Sequence, residues 1–222
     1  MSFQRIQTYK HIPLQPQTKQ QPLMNVVLDL DSTCIFAVPF DELNKVSPEV
    51  MRLPYIDHYE FGRPLYRIFE RPHLQEFLTF LFEHYNVAVW TAAEYNYGYD
   101  IVQRIIIKNK PARRNKLKFF WSRLEFEEAG ALTNRTKPLE LIYRKFPQFN
   151  ACNTYIVDDN ALVKKSNMDN CIHIKAFMIL TEKGAIINPQ EVLKDKSLLG
   201  VYQQLEFHRG LGMTNIGLCW NW

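Results

Sequence analysis

Three apolar runs far apart in this chain, MNVVLDL, NVAVWTAA and NTYIVDDN, each end abruptly on acidic or hydroxyl side chains. Their length and β-branched content predict buried strands rather than helices. Between them lie stretches of helical periodicity. PHLQEFLTFLFEHY puts Leu74, Phe77, Leu78 and Leu81 on one face, with Pro72 in a favourable first-turn position. Residues 99–109, YDIVQRIIIKN, predict a second helix, and TKPLELIYRKF a third that opens with Thr136 as its cap and Pro138 in its first turn. LKFFWSR and IHIKAFMIL add strand-like runs, and VLKDKSLLGVYQQLEF a closing helix. Strands alternating with helices predict an α/β fold: a mainly parallel sheet with helices on both faces. In such sheets ligands bind beyond the carboxyl ends of the strands.

The bulk properties set bounds on this reading. A chain of 222 residues suits one domain, and 46% hydrophobic and 14% aromatic content make it globular. Residues 1–21, rich in Gln and Pro, read as a flexible arm, residues 22–210 as the folded domain and residues 211–222 as a tail. No apolar run is long enough to span a bilayer and the start lacks a secretory core, so a soluble intracellular protein without a membrane partner is expected. Cys34, Cys152, Cys171 and Cys219 are widely spaced, without zinc spacing, and read as reduced thiols. The polar and aromatic segment 36–70 is interrupted by prolines, and HYEFGRPLYRIFER within it predicts a hairpin around Gly62 and Pro64.

The chemistry gathers at the expected strand ends. LDLDST presents Asp29-x-Asp31-x-Thr33. Two carboxylates at a strand end can share one pocket, one attacking phosphorus and the other handling a proton; alone, the pattern also fits a solvated strand end or a calcium site. Thr91, with Ala92 after it, offers a hydroxyl and nearby N–H groups to phosphate oxygens, although a strand-end Thr is commonly structural. Lys137, at the start of a predicted helix, could pair with the nucleophile or simply be solvated. Asp158 and Asp159 repeat the acidic strand end. Clustered carboxylates repel, and a hard cation such as Mg²⁺ would hold them together.

Taken together, LDLDST, WTAA, the Lys of RTKPLE and IVDDN resemble the four motifs of the haloacid dehalogenase (HAD) superfamily. DLDSTCI and the ERPHLQEFLTFLFEHYNVAVWTAA block are most similar to phosphatases of the RNA polymerase II C-terminal-domain and NLI-interacting-factor-like type. The resemblance spans roughly residues 24–207. It implies a HAD-like, Rossmann-like three-layer αβα sandwich with a small β insertion and no large cap. It further implies Asp29 as nucleophile through an aspartyl phosphate, Asp31 as general acid and base, and Thr91, Ala92 and Lys137 on the phosphate. Mg²⁺ would be held by Asp29, the carbonyl of Asp31, and Asp158 or Asp159. The chain departs from the family at Ser32, where Glu is common, and at Asp159, where Asn is common.

An open site favours phosphoserine or phosphothreonine in a protein or peptide. A nucleic-acid end, a small phosphoester, or a non-catalytic binding role on the same fold are the alternatives. KNKPARRNKLK, residues 108–118, carries six basic residues in eleven and no acid. It reads either as a contact for a nucleic acid or acidic partner or as a solvated loop, and with the resemblance it raises a nuclear location. Phe119, Phe120 and Trp121 read as core, and Arg71 and Pro72 as structural.

Overall fold

The run after Met24 becomes the central strand of a five-stranded parallel sheet. The computed structural model describes residues 23–128, 136–181 and 183–210; the expected arm and tail, with Trp220 and Trp222, lie outside the described residues. The strands are β1 (Asn25–Leu28), β2 (Ile35–Pro39), β3 (Tyr55–Glu60), β4 (Arg63–Glu70), β5 (Asn86–Trp90), β6 (Leu117–Trp121), β7 (Thr154–Asp158) and β8 (Cys171–His173). The parallel sheet runs β6-β5-β1-β7-β8. In β1, Leu28 lies level with Val89 of β5 and Val157 of β7. The residues that follow those three therefore emerge side by side at one edge.

Side chains alternate across this sheet, as strand geometry requires. Val26 and Leu28 face one core with Leu78, Leu81, Val201 and Leu205. Val27 faces the other with Ala88, Trp90, Ile142, Ile156 and Val163. Both faces are thus sealed by helices, which is why the strands read as continuous apolar runs. The helices are α1 (Leu74–His84), α2 (Tyr95–Ile101), α3 (Pro111–Lys116), α4 (Arg123–Glu128), α5 (Glu140–Lys145), α6 (Ala161–Ser166), α7 (Pro189–Leu193) and α8 (Ser197–Gly210). The apolar face expected for α1 is buried at Leu74, Phe77, Leu78 and Leu81.

Between β1 and α1 the chain builds an antiparallel sheet of order β2-β4-β3. Its hairpin turns at Phe61 and Gly62, with φ of 50° and 75°. Positive φ at both central residues is the twist a two-residue hairpin needs. A third core, Val38, Phe69, Phe177, Ile179 and Val192, packs this insertion onto the domain.

Several sequence expectations are corrected. The helix expected over 99–109 begins at Tyr95 and continues through a wider π turn over Val102–Ile107. Of IHIKAFMIL only Ile172 and His173 pair in the sheet, in a strand that begins at Cys171, because the following backbone turns to the site loop, where the Phe177 N–H bonds the Ser32 carbonyl at 2.7 Å. The closing helix is two helices, broken where Asp195 accepts from the Ser197 N–H at 3.0 Å. Cys34 and Cys171 are free and buried, as expected, but Cys152, in the exposed turn before β7, is disulfide-bonded. Among the described residues no helix is long and apolar enough to cross a membrane.

Candidate active site

Asp29 leaves β1, Thr91 leaves β5 and Asp158 closes β7, so the register of three adjacent strands alone brings these groups to one edge. The Asp29 N–H bonds the Val157 carbonyl at 3.1 Å, prolonging the ladder by one step and fixing Asp29 beside Asp158. Both carboxylates are enclosed, with Asp29 6% and Asp158 1% exposed.

The cation between them is Lys137. Its Nζ donates to Asp29 Oδ1 at 2.5 Å and to Asp158 Oδ2 at 2.7 Å. Lys137 does not begin a helix: α5 starts at Glu140, and its cap position is Leu139, with no side-chain cap from Thr136. The loop is instead held from across the fold by Asn167, whose amide donates to the Lys137 carbonyl at 2.9 Å and accepts from the Leu139 N–H at 3.0 Å. This buried amide does locally what Thr136 was expected to do. Burial by itself would lower Lys137, but Asp29 and Asp158 outweigh it and hold the ammonium charged.

Thr33 ties in the third carboxylate, Asp159. Its Oγ1 lies 3.0 Å from Asp29 Oδ2 and 3.1 Å from Asp159 Oδ1, and accepts from the Asp159 N–H at 3.2 Å. A hydroxyl carries one proton, so it satisfies only one of the two carboxylates at a time. Asp29, Asp158 and Asp159 each offer an oxygen within 4.8 Å of the others. Burial pushes the Asp29 carboxyl up, and Asp158 adds to this against the opposing pull of Lys137. Asp159 is likewise raised, by burial and then by Asp158. Three crowded carboxylates with one ammonium are a donor set that fits a hard divalent cation, which would favour the ionised forms of Asp29 and Asp159.

Asp31 stands apart from this cluster. Its Oδ1 accepts from the Tyr97 hydroxyl at 2.7 Å and its Oδ2 from Thr91 Oγ1 at a long 3.5 Å. Burial raises the Asp31 carboxyl above its ordinary value, against the opposing hydrogen bonds. Thr91 Oγ1 also accepts from the Ala93 N–H at 3.1 Å, bending the chain after β5. Ala92 is exposed in that bend, its carbonyl accepting from Arg123 Nε at 3.2 Å. The site residues expected from sequence therefore all lie at this edge, in two groups: Asp29, Lys137, Asp158 and Asp159 in one, Asp31 and Thr91 in the other. Sequence reasoning assigned no role to Thr33, Tyr97 or Asn167. Thr33 was visible within Asp-x-Asp-x-Thr; the other two are joined to the site only by tertiary contacts.

Half of the basic residues in the stretch 108–118 are engaged within the fold. Lys108 pairs with Glu70 at 2.8 Å, Lys116 donates to the Phe82 carbonyl at 2.9 Å, and Arg113 is buried with four hydrogen bonds to Gln75, Thr79 and Ile106. Lys110, Arg114 and Lys118 are exposed.

The model of the NLI interacting factor-like phosphatase family matches residues 24–205. A CTD phosphatase-like protein of Invertebrate iridescent virus 6 is 32% identical over 180 residues, 80% of this chain and 97% of the viral protein. One from Invertebrate iridescent virus 3 is 28% identical over 188 residues, 80% of this chain and 96% of the viral protein. The structure of Fcp1, an essential RNA polymerase II CTD phosphatase, shares the fold with a TM-score of 0.54 at 19% identity. Fission yeast Fcp1 bound to beryllium fluoride does so with 0.53 at 18%. Both alignments cover 86% of this chain, which spans about half, 52%, of either Fcp1 chain. The fold is that of the HAD phosphatases, and the chain belongs to the NLI interacting factor-like phosphatase family.

Proposed function

We propose that the protein hydrolyses phosphoserine and phosphothreonine in proteins through an aspartyl-phosphate intermediate, with Mg²⁺ as cofactor. The observation that carries this reading is the separation of the two motif carboxylates. Asp29 sits with a fixed ammonium and two further carboxylates, whereas Asp31, two residues on, takes its side-chain hydrogen bonds among the described residues from the hydroxyls of Tyr97 and Thr91. One environment suits a metal-associated nucleophile, the other a group that exchanges a proton.

In this reading an Asp29 oxygen forms a bond to phosphorus as the bond to the seryl or threonyl oxygen breaks. Asp31 gives its proton to that departing oxygen. The Asp31 carboxylate then takes a proton from water, whose oxygen attacks phosphorus, releasing inorganic phosphate and free Asp29. Lys137 holds Asp29 in place and offsets charge on the phosphoryl group, while Thr91 and the backbone at Ala92 bind its oxygens. Mg²⁺, held by Asp29, the Asp31 carbonyl and Asp158 or Asp159, would supply the charge stabilisation that lets an anionic nucleophile approach an anionic ester.

A macromolecular substrate is supported by a cleft outside the catalytic cluster. Beside α2, a cleft of about 720 Å³ runs between Tyr59 and Phe61 of the insertion hairpin and Tyr95, Asp100 and Leu124. The test is turnover of p-nitrophenyl phosphate with Mg²⁺, followed by phosphopeptides against 3′-phosphorylated oligonucleotides. Turnover that requires Asp29 and prefers phosphopeptides is expected. Activity unchanged in Asp29→Asn contradicts the mechanism, and preference for the oligonucleotides contradicts the substrate class.

A further inference from the structure

Asp29 is held by Lys137 and Thr33, but Asp31 has one short hydrogen bond, from Tyr97 at 2.7 Å; the contact with Thr91 is 3.5 Å. Tyr97 lies in α2, and its ring is fixed from the insertion rather than from its own helix. His58 of β3 meets it edge-on, centroids 5.3 Å apart at 85°, and Tyr66 of β4 does so at 6.0 Å and 77°. His58 is buried and shares a hydrogen bond with Asp100, one turn along α2 from Tyr97, at 3.0 Å. Arg104 then joins the same two elements, donating to Asp100 Oδ2 at 3.1 Å and to the Asp57 carbonyl at 2.9 Å. The hairpin and α2 are clamped together, with the Tyr97 hydroxyl projecting from the clamp onto Asp31.

We infer that Tyr97 is a positioning residue that orients Asp31 for proton transfer to the leaving oxygen, an inference that rests on the phosphatase reading above. A carboxyl at the end of a strand turns about its two side-chain torsions, and among the described residues no lysine bonds the second motif carboxylate. A carboxyl oxygen that accepts from a phenol does not itself carry the acid proton. Oδ1 is thereby reserved for Tyr97, and Oδ2, on the Thr91 side, becomes the oxygen that gives and later regains the proton. A phenol donates through a neutral O–H, so Tyr97 remains a donor while Asp31 cycles. The β insertion thus acts on the chemistry by holding the tyrosine that holds the acid.

The test is Tyr97→Phe, which removes one oxygen and keeps the ring against His58 and Tyr66. A leaving group that needs no proton, such as p-nitrophenolate, is insensitive to the acid, whereas an alkoxide depends on it. Across phosphate esters of rising leaving-group basicity, from p-nitrophenyl to alkyl phosphate, the loss in kcat/KM is expected to grow by about tenfold or more. Adding Tyr97→Phe to Asp31→Asn is expected to cost nothing further. An equal loss across the series, or an undiminished loss in the Asp31→Asn background, overturns the inference while leaving the phosphatase reading intact. Absence of turnover by the unaltered chain on every ester overturns both.

Discussion

The guanidinium of Arg71 meets the carboxylate of Asp195 through two hydrogen bonds, both 2.9 Å, from residues 124 apart in sequence. The remaining donors of Arg71 reach the carbonyls of Thr33 at 2.9 Å and Lys175 at 2.7 Å, which pins the loop carrying Asp31 and Thr33 to the start of α8. The Arg71 side chain is fully enclosed and that of Asp195 only 11% exposed. Removing either partner leaves a buried charge unpaired, so Arg71→Ala and Asp195→Ala are each expected to cost about 3–5 kcal/mol in chemical denaturation. Lysine at position 71 is not expected to restore this, because it lacks the planar fork that bonds Asp195 twice.

The same pair sets a pH dependence. Burial alone would raise Asp195, but the hydrogen bonds and charge of Arg71 and the Ser197 groups outweigh it and hold its carboxyl below the ordinary range. A carboxyl depressed in the folded state contributes stability that is complete above its unfolded value, about 3.9, and is lost as pH falls through the folded value. Unfolding curves below about pH 4 should therefore show a loss in the unaltered chain that is smaller in Asp195→Asn. An identical acid slope in the two proteins would show that Asp195 is not the group responsible.

Asn167 should control Lys137 through its backbone carbonyl, without touching the ammonium. In Asn167→Ala the Lys137 carbonyl and the Leu139 N–H both lose their buried partner, at a cost of about 1–3 kcal/mol. The ammonium would no longer be held between Asp29 and Asp158. At temperatures where the variant remains folded, kcat toward p-nitrophenyl phosphate is expected to fall by about tenfold or more. Full activity in a destabilised variant would show that the loop is held by other contacts.

Gly98 allows α2 to lie directly against the site. A Cβ there would stand 2.9 Å from the Phe120 ring and 3.0 Å from Thr91 Cγ2, closer than packed carbons allow. Gly98→Ala, although a better helix former, is expected to destabilise by about 1–3 kcal/mol through overpacking. Because Thr91 is one of the groups displaced, activity should fall as well; gain of stability with full activity would contradict the packing described.

Arg113 should behave as a core residue despite its place in a basic run. Arg113→Ala is expected to cost about 2–3 kcal/mol, since it orphans groups on Gln75, Thr79 and Ile106. Lys110→Ala and Arg114→Ala should fall within about 0.5 kcal/mol of the unaltered chain. The contrast is measured by thermal unfolding of the three variants side by side.

What was legible in the sequence was whatever a strand end announces. Asp29, Thr91 and Asp158 follow buried runs in adjacent strands, so pattern and parallel topology suffice to bring them together. Lys137 was one candidate among solvated lysines until the family resemblance favoured it, and its loop was misread as a helix start because the side chain that fixes it, Asn167, is 30 residues away. Tyr97 was hidden among Tyr95 and Tyr99, which stack on each other at the surface, and nothing local marks the middle tyrosine as the one that reaches Asp31. The basic stretch shows the converse: a strong local signal, half of whose charges, those of Lys108, Arg113 and Lys116, are committed to groups elsewhere in the fold.

The central claim, that Asp29 is the nucleophile, is tested most directly by trapping its phosphoryl adduct. Asp31→Asn keeps the nucleophile but lacks the group that activates water, and p-nitrophenyl phosphate needs no acid to release its aryl group. Acid quenching of that variant with substrate and Mg²⁺, followed by peptide mass spectrometry, should find a hydroxylamine-labile phosphoryl group on Asp29. It should be absent from the Asp29→Asn, Asp31→Asn double variant. A phosphoryl group on another residue, or p-nitrophenol release undiminished in Asp29→Asn, would contradict the mechanism.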